Sequence, residues 1–244
     1  NEAETGGTGD LTINASSLNV TGGDATNNAS VVLSGNFSGT VSGATTLAHG
    51  FDLSGMGATN RFDLMTGTLS LGDRIGEFYT NNLNSFVLNV TGGGINAGTN
   101  AIRNGVGDTP NPEAGMTLTA QSVTAAGIEN LATMNITSTG AVTMTGDVVN
   151  SGSLGISGTT FSLENVNNSG AATLNGSGAF GAGAITNATG ATSLSISGST
   201  ITATGLITNN AGTMIIESDG DLSALGLVAN AGTMNVYGGE LNIG

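Results

Sequence analysis

The chain has 244 residues, 42 of them glycine, with no cysteine, no tryptophan and a formal net charge of -14. All three cations are arginines, Arg61, Arg74 and Arg103. Three cations are too few to neutralise a phosphate backbone, which excludes nucleic acid as a partner, and they offer nothing to an anionic membrane surface. No apolar run approaches the eighteen or so residues of a membrane span, so membrane insertion is not expected. Without cysteine there are neither disulfides nor thiolate metal sites. The hydrophobic fraction of 38% and a positive mean hydropathy argue for a packed chain rather than a disordered one.

The first half, 1–115, reads as loosely repetitive. The segments DLTINASSLNVTGG and NSFVLNVTGG share LNVTGG and alternate apolar residues at Leu11, Ile13, Leu18 and Val20, and at Phe86, Leu88 and Val90. That period of two belongs to strands. Two stretches interrupt it. Residues 45–82 carry His49, Arg61, Arg74 and four of the nine aromatic side chains, and residues 96–115 carry Arg103 and both prolines, Pro110 and Pro112. Both are expected to be inserted loops, which makes them candidate contact surfaces or caps.

The second half, 116–244, is openly repetitive. The phrases IENLATMNI, VVNSGSLGI, VNNSGAATL, ITNNAGTMII and LVANAGTMNV return at intervals near twenty residues, with anchors at Asn130, Asn150, Asn168, Asn210 and Asn230. A weaker copy, ITNATGATSL, aligns Ala188 with the anchor and leaves Asn187 one residue early. Apolar pairs follow each anchor, among them Met134/Ile136, Leu154/Ile156, Met214/Ile216 and Met234/Val236. A second pair comes later, at Val142/Met144, Phe161/Leu163 and Leu241/Ile243, and a third apolar element precedes each anchor. Three short strands in about twenty residues make one coil of a right-handed parallel β-helix. The fold class is therefore all-β, a β-solenoid, with both halves in one continuous domain. Glycine serves the turns, and scarce proline spares the ladder donors. The asparagine column is expected to be a structural ladder of stacked amides at a turn.

The candidate chemistry is sparse. His49 has no partner acid near it in sequence, and the acids are thinly spread, so no catalytic constellation emerges and no cofactor motif is present; we expect no enzyme activity. Glu217, Asp219 and Asp221 alternate in ESDGDL and are the one weak candidate for a Ca²⁺ site, with an acidic rim as the simpler reading. Threonine pairs at Thr117/Thr119, Thr143/Thr145 and Thr202/Thr204 form a broken array, too irregular for an ice-binding face. Sequons at Asn14, Asn19, Asn28, Asn36, Asn89, Asn135, Asn175 and Asn187 occur no more often than this composition produces by chance.

The copies VVNSGSLGISG and VANAGTMNVYGGELNIG resemble the repeats of secreted bacterial β-helix proteins, the filamentous haemagglutinin-like adhesins and autotransporter passengers. The resemblance implies secretion, display on the bacterial cell surface, and an adhesive or scaffolding role. The absence of lysine agrees with an extracellular location, and the start at Asn1 points to a processed or trimmed chain. Leu241 and Ile243 still alternate as core residues at the last repeat. Solenoid ends of this kind are templates for pairing. The expected function is a structural subunit of an extracellular filament or matrix, stacked head to tail through Leu241 and Ile243 against Leu11, Ile13, Leu18 and Val20 of another copy. The alternative is an adhesin segment that binds a glycan or cell-surface partner through 45–115.

Overall fold

The computed structural model describes residues 87–90, 93–99, 101–105, 112–224, 226 and 229–242 with their side chains, and the backbone pairing of further strands between Leu11 and Phe86 and at 228 and 243. The described residues contain strands and no helix, so no helix long and apolar enough to cross a membrane is among them. The strands form three parallel sheets of eleven, eleven and ten strands. Each coil gives one strand to each sheet in turn, and every strand pairs with the strand three elements later. The chain is a β-solenoid.

One coil shows why the sequence winds this way. Thr133–Ser138, Ala141–Met144 and Val148–Asn150 lie in the first, second and third sheets. Their burial alternates, with Met134, Ile136 and Ser138 inward, then Val142 and Met144, then Val148 and Asn150. A coil this thin cannot enclose its own apolar side chains. The next coil covers them: Met134 pairs with Leu154, Ile136 with Ile156, Val142 with Phe161 and Val148 with Val166. Continued, this gives columns such as Leu118, Ile136, Ile156, Leu174, Ile196 and Ile216, all buried. Each such aliphatic side chain contributes about 1.5–3 kcal/mol on leaving water.

The bulkiest core side chains are faced by small residues. Phe161 and Phe180 stack in the second sheet with ring centroids 5.2 Å apart. Opposite them the first sheet turns its third inward position to glycine. A Cβ on Gly176 would lie 3.2 Å from Cδ2 of Phe161, and one on Gly198 would lie 3.2 Å from Cβ of Phe180. In coils whose second-sheet residue is Val142 or Leu222, the same position is Ser138 or Ser218. Those hydroxyls donate to carbonyls of the preceding coil, Ser138 to Gln121 at 3.0 Å and Ser218 to Ser199 at 3.2 Å.

The strands also revise the expected loops. Thr45–Leu47, Phe51–Asp52, Thr59–Leu64, Leu69–Leu71 and Ile75–Glu77 fall inside 45–82 and belong to the three sheets. Ile95–Asn96 and Ala101–Asn104 do the same in the second and third sheets. Ile102 is fully buried and pairs with Ile128. The loop expected at 96–115 therefore contracts to the connection 105–114, where Pro112 and Glu113 are exposed. Most of the strands in these two stretches have only two or three residues and so carry little periodic signal. His49 and Pro110 lie outside the described residues.

Candidate functional site

The third-sheet strands from Ala101–Asn104 to Ile207–Asn209 each end on a buried asparagine. Its side chain is held between the coil's own turn and the next coil. Asn104 donates from Nδ2 to Oδ1 of Asn130 at 2.9 Å, Asn130 to Asn150 at 2.7 Å, and Asn150 to Asn168 at 2.8 Å. The series continues from Asn168 to Asn187 at 2.8 Å, Asn187 to Asn209 at 2.9 Å, and Asn209 to Asn230 at 2.9 Å. All six bonds run the same way along the stack. The second amide hydrogen is used as well, as in the bond from Asn168 to the Ser193 carbonyl at 2.8 Å. A buried amide left unpaired costs roughly 1–3 kcal/mol, so the ladder holds coils in register. Its acceptor end is Asn104, whose buried Oδ1 has no partner among the described residues.

The ladder corrects the expected anchor set. Asn130, Asn150, Asn168 and Asn230 stand in it, but Asn210 does not: Asn209 takes that place, and Asn210 is exposed. Asn187, not Ala188, pairs with Asn168, and Asn104 adds a position expected to lie in a loop. The cause is turn length. Asn150 and Asn168 reach the next first-sheet strand, at Ser153 and Ala171, through two residues, whereas Asn209 uses Asn210, Ala211 and Gly212. Gly190 and Gly212, in the two longer turns, adopt φ of 96° and 65°, which glycine enters without a Cβ clash. Alignment on the residues after the turn therefore shifted the anchors. The signal that locates them lies before the turn, as an apolar-x-Asn triplet: Ile102 and Asn104, Val148 and Asn150, Ile185 and Asn187, Ile207 and Asn209.

The coil formed by 228–243 is open on one side. Leu241 pairs with Leu222 in the second sheet, yet Leu241 is 52% exposed and Leu222 only 2%. Val236 and Tyr237 are exposed too, and an apolar cleft lined by Ile207, Ile216, Leu222, Met234, Val236 and Leu241 opens there. Ile243 lies on the paired strand Leu241–Ile243. The expected counterparts, Leu11 and Ile13, and Leu18 and Val20, lie on strands Leu11–Ala15 and Leu18–Val20 of the first and second sheets; their side chains are outside the described residues. Leu11 and Ile13 precede Leu18 and Val20 by the same offset that separates Met234 and Val236 from Leu241 and Ile243.

The acidic candidates do not converge. Glu217 stands exposed on strand Thr213–Ser218, while Asp219 and Asp221 lie in the turn beyond it. Among the described residues no three His, Cys, Asp or Glu side chains are grouped to hold a metal ion. Arg103 meets Glu129 of the next coil at 2.8 Å on the outside of the third sheet. Compared with family models, curated proteins and solved structures, the chain matches none.

Proposed function

We propose that this chain is a structural subunit of an extracellular bacterial filament or matrix, assembled by stacking the 228–243 coil of one copy on the Leu11–Val20 coil of another. The observation that carries the reading is Leu241, half-exposed in a column whose other described members are buried. An uncovered β-coil offers unpaired ladder groups and apolar surface together. The matched offset of Leu11/Ile13/Leu18/Val20 gives the first and second sheets an apolar counterpart in register. Head-to-tail contact between unlike ends does not close on itself and so propagates. The extracellular assignment rests on the absence of lysine and on the likeness of the repeats to secreted bacterial β-helix proteins.

Sedimentation velocity over a concentration series tests this. The unaltered chain is expected to form elongated species that grow with concentration, and Leu241→Asp is expected to stop the growth without unfolding the stack. A chain that stays monomeric throughout overturns the proposal.

A specific observation supports a second reading. The ladder step from Asn104 to Asn130 spans 26 residues, against 18 to 22 in the others. The extra length is in 105–114, which then serves as an adhesive loop for a glycan or cell-surface partner. Deleting 106–113 removes surface binding and leaves assembly intact if the loop is adhesive.

A further inference from the structure

The outward positions of the first sheet form a lattice. Strands Gly115–Ala120, Thr133–Ser138, Ser153–Gly158, Ala171–Gly176 and Ser193–Gly198 pair residue by residue. Columns therefore run across the coils, one of them through Thr117, Asn135, Gly155, Thr173 and Ser195. A neighbouring column brings Thr137, Ser157, Asn175 and Ser197 into line. Ser197 donates to Asn175 Oδ1 at 2.8 Å within its column. The hydroxyls of Thr137, Ser153, Thr173 and Ser195 make no hydrogen bond among the described residues and point to solvent. Val87 and Asn89 extend the surface onto the adjoining strand Ser85–Val90.

This face is also neutral in a chain of net charge -14. Between residues 114 and 212 the charged residues are Glu129, Asp147 and Glu164. Glu129 sits on the third sheet, and Asp147 and Glu164 lie in the turns leading to it, so the first sheet carries none of them.

We propose that the outer face of the first sheet, from strand Ser85–Val90 to strand Ser193–Gly198, pairs side by side with the same face of a second copy of this chain. The inference is independent of end-to-end stacking. Three observations select a second copy. The lattice repeats at about 4.8 Å across coils and about 6.6 Å along strands, and an identical face matches both periods in a two-fold arrangement. The contact brings no ionised group out of water, and hydroxyls and amides on the two faces can satisfy one another, which removes the main penalty of burying a polar surface. The extent suffices too: six strands of six residues cover roughly 580 Å² per copy, or about 1,150 Å² for the pair, above the roughly 1,000 Å² that a specific interface needs. Thr, Ser and Asn side chains at this spacing interdigitate between facing sheets as they do in steric zippers.

The chain has no cysteine, so single introduced thiols report proximity cleanly. Asn135→Cys lies near the middle of the face, and Asn167→Cys on the outside of the third sheet is the control. Under mild oxidation the first is expected to form disulfide dimers at least tenfold faster than the second. In chains carrying Leu241→Asp, which no longer stack end to end, Thr173→Lys with Ser195→Lys, both at outward positions, is expected to abolish the remaining dimer in sedimentation equilibrium while the circular dichroism spectrum stays unchanged. End-to-end stacking alone would hold two copies of position 135 about 50 Å apart, far beyond the roughly 7 Å limit between bridged Cα atoms. The two associations are thus read separately. Equal, slow oxidation of both thiols with a monomer in sedimentation overturns the proposal. A monomer whose binding to an insoluble neutral polysaccharide is lost in the double lysine variant also overturns it, by assigning the face to a glycan.

Discussion

Asn187 donates its amide hydrogen to Oδ1 of Asn209 at 2.9 Å, and Asn209 is fully buried beside an exposed Asn210. Two adjacent residues of one type thus occupy opposite environments. Asn209→Ala removes the bonds to Asn230 and to the Thr233 carbonyl and leaves one of the two Asn187 amide hydrogens without its acceptor, the other still reaching the Ala211 carbonyl. The expected loss is about 2–4 kcal/mol in denaturant unfolding. Asn210→Ala is expected to change stability by no more than about 0.5 kcal/mol. Equal effects would mean that the ladder does not run through Asn209.

The aromatic pair and its facing glycines give a second expectation. Gly176→Ala places a methyl group against the Phe161 ring and is expected to cost about 1–3 kcal/mol by overpacking. Phe161→Leu alone opens space and is expected to cost about 1–2 kcal/mol. Together they should cost less than their sum, because each relieves the other. Additive thermal denaturation data would show that the two positions do not share one volume.

Much of the fold was legible because the solenoid repeats a period-two pattern three times per coil. Met134/Ile136, Val142/Met144 and Val148 mark the three sheets by their spacing alone. What failed was register across turns of unequal length, at Asn187 and Asn209, and the coil through Ile102 and Asn104. There a two-residue strand and a long connection dilute the period. The neutral outer lattice was hidden for a different reason. It depends on lining up residues some twenty positions apart, whereas the threonine pairs stand out only along the chain and not across coils. Thr145 and Thr204 fall outside the strands, so the pairs Thr143/Thr145 and Thr202/Thr204 are not face motifs at all.

Calcium should not matter to the stack. Glu217, Asp219 and Asp221 are not gathered, and the described residues hold no metal-binding group. Melting temperature is expected to be the same with millimolar Ca²⁺ and with a chelator. A rise of several degrees on adding Ca²⁺ would restore the acidic segment as a site.

Assembly should depend on salt. Copies of net charge -14 repel one another, and the Debye length falls from about 30 Å at 0.01 M to about 8 Å at 0.15 M. Light scattering is expected to show faster growth at the higher ionic strength. Rates unaffected by salt would remove electrostatic repulsion from the account.

The central claim is that the coil ending at Leu241 and Ile243 is completed by another copy. Negative-stain electron microscopy of the purified chain, at rising concentration and in 0.15 M salt, tests it most directly. Eleven strands in each of the two larger sheets give a subunit about 50 Å long. The account predicts unbranched fibres with an axial repeat near that length, absent in Leu241→Asp. Single particles of one subunit's length at every concentration would contradict it.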